Sequence, residues 1–142
     1  MRIRINPRDI PGRLATGAFI LHSGIEKWNG PAAQADAVHG MAANAFPMLK
    51  SIPPPRFFKL LAASEIVTGA LLLTPLVSNL VAGAALTGFS SSLLGLYART
   101  PAMHKPGSIW PTQAGIPVSK DVWMLGIGLG LMVDGRLERS AE

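Results

Sequence analysis

The chain has 142 residues, 49% of them apolar and 15% charged, with a mean hydropathy of +0.33, values that point away from an ordinary soluble domain and towards a membrane protein. Its net charge of +5 comes from scattered basic residues, with no basic face interleaved with aromatics and no nucleic-acid-binding motif, so no nucleic-acid partner is expected. The lack of cysteine excludes disulfides, thiolate metal sites and a dithiol redox centre within the chain.

Proline sets the boundaries of the predicted elements, because it lacks an N–H and clashes inside a helix. Twelve prolines leave four proline-free stretches, 12–30, 56–74, 76–100 and 118–142. The start, "MRIRINPRDIPGRLATGAFILHSG", is basic and then apolar like a signal peptide. No A-x-A-like cleavage site follows, and His22, Glu26 and Lys27 stand where cleavage would fall, so an uncleaved membrane helix over about 12–30 is expected. The Ala-rich segment 31–55 has room for a short interfacial helix before the stiff "SIPPPR". A second helix is expected at about 56–75, the tight turn "TPLVSN" after it, and a third at about 78–99.

From Leu60 to Tyr97 the chain runs 38 residues with Glu65 as its only formal charge. One crossing takes about 20 helical residues, so this run is long enough for two. The segment 100–118 is a proline- and glycine-rich loop bearing Trp110, and a fourth helix is expected at about 119–136. The predicted fold is therefore all-α: one integral membrane domain, a four-helix up-down-up-down bundle. Both long connections lie on one side, the short turn and the termini on the other. Arg2, Arg4, Arg8, Arg13, Arg136 and Arg139 oppose Lys27, Lys50, Arg56, Lys59, Arg99, Lys105 and Lys120. The four arginines within the first thirteen residues favour cytoplasmic N- and C-termini.

In the first helix His22 and Glu26 are four residues apart and Asn29 follows, so they share a stripe that lipid would not suit. The second helix supplies Glu65 and Thr68. With Arg13 and Arg56 as opposite interfaces and a hydrocarbon core of ~30 Å, His22 lies about 14 Å in, Glu26 about 20 Å in, and Glu65 about 14 Å from its own side. His22, Glu26, Glu65 and Thr68 are thus the candidate ligand-binding or polar membrane cluster. An intramembrane ionisable residue is a functional candidate by default; the alternative is that Glu65 bonds to His22 or a hydroxyl and only fixes helix register. Arg13, Lys27, Arg56, Lys59 and Arg99 read as interface anchors.

The small-xxx-small spacings Gly88/Ser92, Ser91/Gly95 and Gly126/Gly130 read as helix-packing positions. "GIGLGLMVDG" is not a dinucleotide fingerprint, lacking both the G-x-G-x-x-G spacing and a βαβ context. Asp134 is expected to pair with Arg136 or Arg13. His39 and His104 lack metal-site spacing and read as surface residues, and no nucleophile elbow surrounds Ser90, Ser91 and Ser92. Neither a catalytic set nor a metal site is predicted.

"RLATGAFILHSGIEKWNG", with Arg13, His22, Gly24 and Lys27, and "AASEIVTGALLLTP", with Glu65 and Gly69, together resemble the DoxX family of small bacterial four-helix membrane proteins. The resemblance spans roughly residues 10–136. It implies residence in the bacterial cytoplasmic membrane and a loosely defined redox association. Relatives include a subunit of thiosulfate:quinone oxidoreductase and a partner in membrane oxidoreductase complexes for thiol stress. A chain without cysteine would take part as a quinone- or partner-binding subunit.

Three functions follow as expectations. The first is an accessory or anchoring subunit that contacts the bilayer and other membrane subunits, or a second copy of itself. The second is a quinone or lipid site in which His22 and Glu65 hold a head group flanked by Trp28 or Phe58. The third is a small proton-coupled transporter, which four helices would support only as an oligomer.

Overall fold

The computed structural model describes residues 5–142, so Arg2 and Arg4 lie outside the described residues. After a 3₁₀ turn at Pro7–Asp9, α1 spans Ile10–Trp28, α2 Ala32–Ala45, α3 Pro54–Leu73, α4 Asn79–Arg99, the single-turn α5 Ile116–Ser119, and α6 Asp121–Ser140. Among the described residues there is no strand, and the fold is all-α; His104 and Pro111 form an isolated bridge. Prolines open helices here: Pro11 lies in the first turn of α1, and Pro54 and Pro55 in that of α3, where N–H groups have no intrahelical partner. At α4 the Ser78 hydroxyl accepts the Val81 N–H at 3.3 Å.

The four long helices pack chiefly as two antiparallel pairs, α1 with α3 and α4 with α6. Glycine permits both approaches. A Cβ on Gly24 would lie 2.8 Å from the Ile66 nitrogen and 2.9 Å from the Ala62 oxygen. On the other pair, a Cβ on Gly83 would lie 2.7 Å from the Gly128 carbonyl. Backbones this close gain van der Waals contact that larger residues would forbid. Ile20, Leu72, Ala82, Leu86 and Leu131 then join the two pairs in one core.

The packing positions expected from spacing do not face a neighbouring helix of this chain. At Gly88, Gly126 and Gly130 no atom lies within 4 Å of an added Cβ, and Ser92 is exposed with its hydroxyl on the Phe89 carbonyl at 2.6 Å. Gly95 faces the Phe46 ring of the connecting segment. The reason is angular: residues two apart on a helix point about 200° apart, so Gly128 facing α4 turns Gly126 and Gly130 outwards.

Two stretches, Asn79–Arg99 and Ile116–Ser140, are long and apolar enough to cross a membrane. The other two expected crossings do not reach that apolarity. Three formal charges fall in α1 (Arg13, Glu26, Lys27) and three in α3 (Arg56, Lys59, Glu65).

The connecting segments are tied to the helices. Arg99 lies over the Phe46 ring at 4.9 Å and donates to the Ala45 carbonyl at 3.3 Å, while the Lys59 ammonium bonds the Trp28 carbonyl and covers its ring at 4.3 Å. Both side chains therefore staple segments together, whereas Arg56 is exposed. His39 bonds the Leu49 carbonyl at 2.9 Å, and the Tyr97 hydroxyl holds the 100–115 loop by donating to the Ile109 carbonyl at 2.6 Å.

Candidate functional site

The buried stripe of α1 runs Arg13, Thr16, Gly17, Ile20, Gly24, a helical period that continues to Lys27. Because Gly24 lets the α3 backbone close in beside it, Lys27 meets Glu65, with Nζ 3.1 Å from Oε1. The same ammonium donates to the Ser23 hydroxyl at 2.6 Å. Glu65 is 5% exposed, and its second carboxylate oxygen, Oε2, is buried without a hydrogen-bond partner. Thr68, one turn further along α3, is also buried. From the start of α6, Asp121 lies within electrostatic reach of Glu65. Lys27 and Glu65 thus set an ammonium against a carboxylate in a largely apolar interior, the kind of setting in which a cation or a hydrogen-bond donor finds a place.

A second buried polar group occupies the opposite end. Arg13 is 4% exposed and uses all five guanidinium N–H donors: Nε to Leu72 O (2.9 Å), Nη1 to Val77 O and Asn79 Oδ1 (both 2.9 Å), and Nη2 to Leu71 O and Thr74 O (both 3.0 Å). It thereby caps the C-terminus of α3, where carbonyls lack intrahelical donors and the helix dipole favours a cation. Asn79 passes the link on, donating to Asp9 Oδ2 at 2.9 Å and Asp134 Oδ2 at 3.1 Å. Arg8 pairs with Asp134, so that carboxylate engages Arg8 and Asn79 rather than Arg136 or Arg13. Oxygens of Asp9, Asp134 and Glu138 lie within 4.8 Å of one another here.

Both groups draw on the first two long helices, and the DoxX family model matches residues 9–91, which include Arg13, Lys27, Glu65 and Asn79. The chain belongs to the DoxX family. No curated protein and no solved structure matches it. Family membership and the two apolar stretches mark it as a membrane protein.

In this DoxX fold His22 and Glu26 do not join Glu65. They pair with each other on the outer face of α1, His22 Nε2 to Glu26 Oε1 at 3.4 Å, with side chains 73% and 71% exposed. Matching depth alone put His22 at the level of Glu65, but His22 stands two residues, about 200°, from the buried Ile20 and so points away. Lys27 and Arg13, expected as interface anchors, are instead the internal partners of the two polar groups. Asp121 was not expected at all. The heptad spacing of Gly17, Gly24 and the buried Ile20–Lys27 phase is the signal that identifies Lys27. Asp121 has only its position as the acid that opens the fourth long helix.

Proposed function

We propose that this DoxX-family chain is a multi-pass subunit, with all four long helices crossing the bacterial cytoplasmic membrane and both termini on the cytoplasmic side, that anchors a larger membrane complex through the outer face of α1. The observation that carries this reading is the exposed His22–Glu26 pair, set in a stripe of Ala15, Ala18 and Asn29 that is likewise exposed. An ionisable group at mid-helix costs at least ~2.5 kcal/mol against lipid. Small residues beside polar ones are what a neighbouring membrane helix packs against. The outward Gly88/Ser92 and Gly126/Gly130 faces offer further seats for partner helices. A redox-linked, quinone-associated complex is the assignment that fits the family. To test the reading, a photo-crosslinking residue is placed at Ala18 and, as a control, at the exposed Leu60 of α3, followed by mild-detergent purification. A stoichiometric partner captured from position 18, and lost in His22→Leu/Glu26→Leu, supports it; an uncrosslinked monomer under every gentle condition sinks it.

A second reading is favoured by a cavity of about 340 Å³ between α1 and α3, lined by Ile25, Trp28, Asn29, Ala63, Ile66 and Val67. It suits a lipid or quinone tail. The head-group clamp of His22 and Glu65 does not serve, since the two face opposite sides, and Phe58 is buried in the core. Native mass spectrometry would find a co-purifying lipid or quinone whose retention falls in Ala63→Phe; equal retention in the variant removes this reading.

A further inference from the structure

The cavity between α1 and α3 is apolar along its length and positive at one end. Its walls are Ile25, Trp28 and Asn29 from α1 and Ala63, Ile66 and Val67 from α3. It opens on the outer side of the helix pair, where Ile25, Trp28 and Val67 are 49%, 44% and 56% exposed. Lys59 stands at its long-loop end. The ammonium lies 4.3 Å from the centre of the Trp28 ring and donates to the Trp28 carbonyl, and the lining residue Ala63 follows one turn later on the same face of α3. An ammonium carries three N–H donors, so two are left for a group outside the fold. Arg56, on the preceding turn, is exposed like Lys59, and among the described residues no carboxylate pairs with either of them. Glu26 of α1 is engaged by His22, and the Lys27 ammonium is turned inwards to Glu65.

We propose that this cavity and Lys59 form a site for one anionic phospholipid, an acyl chain lying along Ile25, Ile66 and Val67 and the phosphate resting on the Lys59 ammonium beside the Asn29 carboxamide. The inference rests on the cavity holding an apolar tail and adds the identity of the head. Charge decides among the candidates. A phosphate gains a charge-assisted hydrogen bond from an ammonium that no carboxylate of the chain neutralises. A quinone head carries no charge to match it, and a zwitterionic head brings a cation of its own. Trp28 sits between tail and head, the amphipathic ring at the level where membrane proteins place it.

Native mass spectrometry of the full chain, titrated with phosphatidylglycerol or with phosphatidylcholine of identical chains, reads both parts of the site. The wild type retains phosphatidylglycerol in preference, and the ratio falls about five-fold in Lys59→Gln, the effect of one cation near an anionic head. Glutamine keeps a donor for the Trp28 carbonyl, so the loss reports charge, and Lys59→Arg restores the ratio. Lys105→Met/Lys120→Met removes two exposed charges beside the other helix pair and leaves the ratio unchanged. Ala63→Phe lowers retention of both lipids. Undiminished retention in Ala63→Phe overturns the tail-binding cavity and the proposal with it. Lowered retention there with an unchanged ratio in Lys59→Gln overturns the head-group assignment alone. A quinone bound in place of phospholipid overturns it too, as does an equal fall in Lys105→Met/Lys120→Met, which would show general attraction to the surface.

Discussion

At the short-turn end of the bundle Arg13 directs all five N–H donors to oxygens, while at the long-loop end the buried Glu65 keeps one oxygen without a donor. Both ends bury charge between helices α1 and α3, and the Arg13 end also reaches α6 through Asp134. The first network is closed, and closing it joins the termini of α1, α3, α4 and α6. A fully satisfied buried network rigidifies and specifies a packing arrangement. The second leaves the Glu65 Oε2 without a hydrogen-bond partner.

Removing Arg13 tests the first half of that contrast and carries the largest expected effect. Arg13→Met strips donors from four carbonyls and from Asn79, and buried groups left unsatisfied cost about 1–3 kcal/mol each. Thermal unfolding in detergent should show a loss of several kcal/mol, with Arg13→Lys only partly restoring it, because an ammonium cannot reproduce the fork. Stability within about 1 kcal/mol of wild type would mean the network is not the clamp described.

Lys27→Met is next. It leaves the Glu65 carboxylate unpaired, a change worth about 3–5 kcal/mol when a buried ion loses its partner. The double variant Lys27→Met/Glu65→Leu should return to wild-type stability or exceed it, since buried pairs exchanged for apolar residues of similar volume are often neutral or stabilising. Recovery would set this end apart from the Arg13 end as chemistry the fold does not need. A double variant as weak as the single would make the two ends alike.

The helical character was legible because proline and charge mark where a helix can run, while the connections expected at 31–55 and 100–118 hold α2 and the start of α5. Which face of each helix turns inwards was not legible. Depth along a helix can be counted from its ends, but His22 and Lys27 differ by a rotation that only the packed neighbour settles, and here Gly24 settles it by admitting α3. Arg13 at a helix start reads as a lipid anchor until the C-terminus of α3 arrives beside it with free carbonyls. Asp121 comes within electrostatic reach of Glu65 although 56 residues of chain separate them, a proximity no local pattern announces.

Two glycines of α6 separate the effect of helix phase from that of spacing. Gly128→Leu should destabilise the chain by about 1–3 kcal/mol, the usual penalty of overpacking, because a Cβ there would already lie 2.6 Å from the Thr87 hydroxyl. Gly126→Leu, two residues away and facing outwards, should cause no loss and should gain up to about 1 kcal/mol from helix propensity. Equal losses at both positions would show that spacing alone, rather than phase, marks the packing surface.

The smallest effect on the isolated chain is expected at His22 and Glu26, where the comparison extends from the interior to the outer face. Their side chains are about three-quarters exposed, so the ion pair is solvent-screened in detergent, and His22→Leu/Glu26→Leu should leave unfolding within about 0.5 kcal/mol of wild type. In the bilayer the balance changes sign. Replacing two ionisable groups by leucine removes a penalty for an uncovered helix and removes a contact for a covered one. Comparing the variant in detergent and in membranes therefore separates the cases: gained stability as an isolated chain in lipid, together with loss of the crosslinked partner, identifies this face as one that exists to be covered.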